Sequence, residues 1–257
     1  MDNPGNRNKK LINFIESCGI IVNCGKNNAR GHRGFFRTDG NIFRIDLSKK
    51  LDKESILKTL AHEFAHFIHY KYDKSLKRLD FIFSDDDEVL EELISITVLT
   101  IPKSTVEPIF KLKEDLEKEI SDLKKLFQKS PIDKKSLEKE IKKTNLKYFL
   151  KHDRIRLIEG LKSTFYSIEE LDKDTDCEIY LHLLSKQRAL KKINAKISRL
   201  NKYYNSPTEL FARSFELYIS DSELLKTKAP LVYKYYQKAL ENNKIPLISE
   251  FVTRASN

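Results

Sequence analysis

The sequence predicts a predominantly helical α+β protein with a small N-terminal β-sheet and a long, coiled-coil-like helical insertion. Three observations lead there. Only 7 Gly and 7 Pro occur in 257 residues, too few turn-formers for a many-stranded sandwich or barrel. Strand-like patterning is confined to the first fifty residues. From about 105 to 200 the composition shifts to Lys, Glu, Leu and Ile, with apolar residues at the three-and-four steps of a helical seam.

Along the chain, Gly19-Ile20-Ile21-Val22-Asn23 is a short apolar run that reads as a strand. The segments 34–38 and 41–47 flank Asp39-Gly40, a two-residue hairpin signal. In 41–47, Phe43, Ile45 and Leu47 share one face, and Ile42, Arg44 and Asp46 the other. This strand is expected to form the open edge of the sheet. Asp52 is a good N-cap, with Glu54 in the first turn, for a helix running through LKTLAHEFAHFIHYKY. A second apolar helix, EVLEELISITVLT, ends at Ile101-Pro102. Leu112, Leu116, Ile120, Leu123 and Phe127 mark one seam, and Leu183, Leu190, Ile193, Ile197 and Leu200 a second. Ser130-Pro131 breaks the two arms, which makes a helical hairpin. Pro207 opens a further helix, TELFARSFELYIS, and a last one follows Pro230. The expected organisation is therefore one domain in two parts, 1–104 and 201–257, with the hairpin 105–200 inserted between them.

The balance of 48 Lys+Arg against 38 Asp+Glu gives a net charge of +10. Basic charge raises non-specific affinity for nucleic acid. Most of the excess is Lys alternating with acidic residues, as on a solvated face, so nucleic acid as a partner has no support beyond charge. Cys18, Cys24 and Cys177 are too few for a disulfide framework. No run approaches the roughly 18 apolar residues of a membrane span, and the polar start MDNPGNRNKK lacks the apolar stretch of a signal peptide. A cytoplasmic location, or delivery without a classical signal peptide, is expected, with no membrane partner. The absence of a G-x-S-x-G or glycine-rich phosphate loop argues against nucleophilic-serine and nucleotide chemistry.

The chemistry is carried by His62-Glu63-Phe64-Ala65-His66, an H-E-x-x-H pattern inside a predicted helix. At about 100° per residue, His62 and His66 lie some 40° apart on one face, one turn from each other. Both imidazoles can close on one Zn²⁺ while Glu63 serves as general base to a water. His69 lies on the same face and reads as a buried hydrogen-bonding histidine rather than a ligand. A third protein ligand is needed, with the fourth position left open. Gly at 69 and His at 72 would complete the metzincin pattern; the chain has His69 and Tyr72, so the third ligand is expected to be a glutamate on a later helix.

Two segments offer one. Asn205-Ser206-Pro207-Thr208-Glu209-Leu210-Phe211-Ala212-Arg213-Ser214-Phe215-Glu216 resembles the E-F-F-A-E-A-F stretch of lethal-factor-like gluzincins, and more closely the S-P-T-E-L-F-A-R-A-F-E pattern of zincin-like domains in phage and plasmid proteins. This resemblance covers about 35–80 and 200–245. It implies a zincin-like catalytic domain, a zinc metalloendopeptidase activity on a protein or peptide, and Glu209 as third ligand. It also implies a tyrosine shortly before that glutamate to stabilise the oxyanion, for which Tyr204 is chosen over its neighbour Tyr203. The chain departs from the lethal-factor pattern in the 142 residues between His66 and Glu209 and in Arg213, which stands where the family has Glu. Separately, EVLEELISITVLTIP resembles the third-ligand helix of ImmA/IrrE-type regulatory proteases, which implies Glu91, or its neighbour Glu92, as the ligand instead. A reading of another class is an inactive scaffold whose basic helical arms, 105–200, bind a helical partner or nucleic acid.

Overall fold

The computed structural model describes residues 4–26, 33–101, 103–127, 133–144, 146, 150 and 175–256. Among the described residues 74% are helical, with one three-stranded sheet near the N-terminus, a predominantly helical α+β protein. It divides into two compact units, one formed by 1–101 with 202–257 and the other by 102–201. Among the described residues no helix is long and apolar enough to cross a membrane.

The first unit begins with a helix the sequence pattern did not suggest, α1 (Pro4–Ser17), which places Leu11, Phe14 and Ile15 in the core. Strands β1 (Ile20–Lys26), β2 (Gly34–Thr38) and β3 (Phe43–Ser48) follow. The sheet order is β1-β3-β2, with β1 parallel and β2 antiparallel to β3. The expectation that 41–47 forms the edge is therefore corrected. The strand β3 is central, because β1 pairs along its other side, and β2 is an edge. The hairpin also closes wider than two residues. Pairing stops at Thr38 and Phe43, because the Asp39 carboxylate folds back to accept the amides of Asn41 and Ile42, an Asx-type turn. As the alternation requires, Ile45 and Leu47 are buried and Arg44 is exposed. Asp46 is the exception, buried but bonded by Asn23 and Arg37.

Helix α2 (Lys53–Tyr72) starts at Asp52, whose side chain accepts the amide of Ser55 at 2.7 Å. Every residue from 59 to 65 is buried, so α2 is a central helix enclosed on all faces. It packs most extensively against α7 (Pro207–Ser220), an approach that the small, fully buried Ala61, Ala65 and Ala212 permit. The helix α3 (Asp87–Thr100) and the C-terminal α8 (Ser222–Lys228), α9 (Pro230–Glu241) and α10 (Pro246–Ser256) complete this unit. Its core is aromatic: Phe64, Phe67, Phe211, Phe215, Phe251 and Tyr236 are fully buried. Each such side chain contributes about 1.5–3 kcal/mol by burial alone.

The second unit contains α4 (Lys103–Phe127), α5 (Lys134–Lys142) and most of α6 (Asp176–Tyr204). The apolar seam closes where Ile120 and Leu123 of α4 meet Ile179 and Leu183 of α6. Helix α5 adds Leu137 and Ile141, packed with Tyr180 and Leu181. Leu112, placed in the seam by its spacing, is 46% exposed. The expected break at Ser130-Pro131 lies outside the described residues.

Candidate metal centre

Helix α2 supplies His62, Glu63 and His66, and the first turn of α7 supplies Glu209. Pro207 sets the first turn of α7, needing no donor there and carrying a helical φ. Leu210, Phe211 and Phe215 bury one side of the helix, which turns Glu209 inward until it is only 2% exposed. His62, His66 and Glu209 form the one group of potential metal ligands found among the described residues.

The geometry suits a tetrahedral ion. The Nε2 atoms of His62 and His66 are 3.2 Å apart. Glu209 Oε1 is 3.3 Å from His66 Nε2, and its Oε2 is 3.7 Å from His62 Nε2. With zinc–ligand bonds of 2.0–2.1 Å, neighbouring ligands of a tetrahedron lie about 3.3–3.4 Å apart. The tautomers agree with this. His62 Nδ1 sits 3.1 Å from a Glu216 carboxylate oxygen, which can only accept, so a neutral His62 carries its proton on Nδ1 and bares Nε2. His66 Nδ1 is 2.9 Å from the Thr208 hydroxyl. One further atom asks for a cation: Glu209 Oε2 is buried with no hydrogen-bond donor.

Burial works to raise the Glu209 pKa, but the His66 bond, the His62 charge and the Tyr203 hydroxyl outweigh it and hold the carboxyl at about 2. Burial likewise opposes a charged His62, and the Glu216 bond and nearby carboxylates overcome it, so its pKa is raised. Arg213 bridges the two glutamates, with Nε 3.7 Å from Glu209 and a terminal nitrogen 3.3 Å from Glu216.

The structure brings Tyr203, not Tyr204, close enough to Glu209 for each group to shift the other's titration. Partial burial, with about half of the residue still exposed, and the Glu209 charge both push the Tyr203 phenol well above its ordinary range, so it stays a donor. The Tyr204 ring instead lies under the Arg213 guanidinium, at 5.9 Å. Glu63 is buried beside Gly34 at the start of β2. A Cβ on Gly34 would come within 2.4 Å of Thr59 Cγ2 and 3.0 Å of Glu63 Oε1. Glycine thus lets the edge strand approach α2 at its carboxylate.

Glu91 and Glu92 are not brought to the imidazoles. Glu91 is exposed, and Glu92 accepts the amides of Leu231 and Val232, capping α9. His69 is fully buried and donates from Nε2 to the Arg78 carbonyl at 2.8 Å. The sequence reading assigned no role to Glu216 or Thr208. Helical arithmetic carries the signal for Glu216, since a step of seven returns it to within about 20° of Glu209 on the same face.

No protein-family model, curated protein or solved structure matches this chain.

Proposed function

We propose that the chain is a zinc-dependent metallopeptidase of the gluzincin type, acting on a protein or peptide. The observation that carries this reading is the convergence of His62, His66 and Glu209 at ligand spacing, with Glu63 next to His62 on α2. The resemblance of both segments to zincin-like domains supports it. Zinc held by these three side chains would supply Lewis acidity and a water acidic near neutral pH. Glu63 takes the proton of the attacking water and returns it to the leaving amide nitrogen. Tyr203 donates its hydroxyl proton in a hydrogen bond to the developing oxyanion. An extended substrate pairs with the open side of β2, as in β-augmentation, which puts its backbone beside Glu63.

The test is Glu63→Gln, assayed on a degenerate peptide library with zinc content measured in parallel. The expected result is an unchanged zinc stoichiometry with hydrolysis reduced about 10²–10⁴-fold. Cleavage at the wild-type rate, or a wild type that binds zinc but cleaves nothing in the library, would count against a peptidase.

A further inference from the structure

The two long helices of the second unit carry their charge differently. Helix α4 has six basic and six acidic residues in 25 positions, the mixture of a solvated face. On α6, the stretch from Lys186 to Lys202 has seven basic residues and none that is acidic. At about 100° per residue, Leu190, Ile193, Ile197 and Leu200 fall within a stripe some 80° wide. Arg188, Lys191, Lys192, Lys196, Arg199 and Lys202 fall within an arc of about 140° on the opposite side. Lys191, Lys196, Arg199 and Lys202 are exposed and carry the argument. Arg188, bonded to the Leu150 carbonyl, and Lys192 already have partners. Lys186 lies outside the arc and pairs with Glu119 at 2.8 Å.

We propose that this face of α6 docks on double-stranded DNA. Between Lys186 and Lys202 the face holds no apolar side chain larger than Ala195, and Tyr203 at its end is a single aromatic, so it lacks the clustered aromatic and aliphatic anchors on which protein interfaces depend. A row of lysine and arginine is instead what a phosphate backbone takes. From Lys191 to Lys202 these charges extend over about 17 Å of helix, against roughly one duplex charge per 1.7 Å. Gln187, Asn194, Ser198 and Asn201 flank the row with hydrogen-bonding groups suited to phosphates or base edges. A helix with its side chains fits the roughly 12 Å major groove of B-DNA, whereas the deep, narrow groove of duplex RNA excludes it. The row shares no residue with the metal centre, although Lys202 directly precedes Tyr203.

The experiment titrates the full-length protein into a labelled 24-base-pair duplex of arbitrary sequence, by fluorescence anisotropy from 50 to 200 mM salt. Four phosphate contacts predict a log–log slope near −3.6, about a 150-fold loss of affinity over that range. Replacing Lys191, Lys196, Arg199 and Lys202 together by Gln should weaken binding at 50 mM by tenfold or more and flatten the slope. Replacing Lys111, Lys113, Lys118 and Lys124 of α4 by Gln should change neither. If the α6 variant loses helicity by circular dichroism, single Lys196→Gln and Arg199→Gln changes must each lower the slope by about 0.9. Wild-type affinity and slope in the α6 variants would overturn the proposal. So would absence of binding at 50 mM, or equal or tighter binding of duplex RNA or poly-glutamate.

Discussion

Among the described residues, the unit formed by 102–201 buries only two polar side chains, His182 and Ser185, whereas the other unit buries ten polar or charged ones. The helices α4 and α6 follow simple binary patterning, with an apolar seam on one side and charge on the other. Helix α2 does not. It is enclosed on every face and still carries His62, Glu63 and His69. Burying ionisable groups costs several kcal/mol each unless they are paired, so patterning alone would have placed leucines there. What the contrast teaches is where to look for chemistry: the helices that break the amphipathic rule, α2 and α7, meet at the polar cluster.

The largest effect tests whether that cluster is a metal site. Glu209→Ala should weaken zinc binding by well over 100-fold, since even losing a residue that only supports a ligand costs about 10–100-fold. Glu91→Ala, Glu92→Ala and the remote Leu137→Ala should leave the zinc Kd unchanged within about twofold. Competitive titration with a chromophoric chelator reads all four, and an unaltered Kd for Glu209→Ala would erase the distinction drawn between the units.

Next in size is the support that Glu216 gives His62. Glu216→Gln keeps the shape but replaces a carboxylate that accepts from Nδ1 by a weaker amide acceptor. Zinc affinity should fall about 10–100-fold, with thermal stability of the zinc-free protein little changed. Loss of stability without loss of affinity would make Glu216 a packing residue.

Gly34→Ala asks how closely the edge strand must approach. Thr59 is β-branched and stiff in a helix, so the added methyl must displace β2 or Glu63. A destabilisation of about 1–3 kcal/mol is expected, as for other overpacked positions, measured by urea unfolding. Activity should fall in excess of any effect on zinc content.

The smallest effect concerns pH. Burial lowers the pKa of His69 and outweighs the Arg78 carbonyl and the Asp73 charge, which both raise it. The unfolded chain then takes up this proton at higher pH than the folded one. The stability this residue gives is whole above about pH 6.5 and is lost as pH falls toward the lowered folded value. His69→Gln, which keeps a donor but cannot titrate, should lose less stability than the wild type between pH 7.5 and 5.5. Equal losses would place the pH dependence elsewhere.

Much of this was legible because it is local. Asp52 and Ser55, Pro207, and the Phe43-Ile45-Leu47 alternation each act within one element, and their spacing predicts what the structure contains. What escaped the reading depends on partners distant in sequence. Nothing within β1 reveals that it pairs parallel to β3, and that pairing moves the edge of the sheet from 41–47 to β2. Helix α1 carries its buried apolar residues Leu11, Phe14 and Ile15 only in its second half, after a polar start, and its Phe14 gains meaning only against Phe64 and Phe251. Tyr203 and Tyr204 differ by one residue, or about 100° of helix. Choosing between them requires the turn at the end of α6, where Ser206 bonds back to the Tyr203 carbonyl.

The order of the candidate ligands along the chain has a consequence in time. His62 and His66 are synthesised 142 residues before the segment that carries Glu209. At 5–20 residues per second, the two imidazoles wait about 7–28 s for their carboxylate. Through that interval α2 lacks the helix that covers its polar face, and a nascent chain holds at most two of the three donors. The long segment between them therefore acts as a delay, keeping the cluster incomplete until everything in the first unit that precedes α7 has been made.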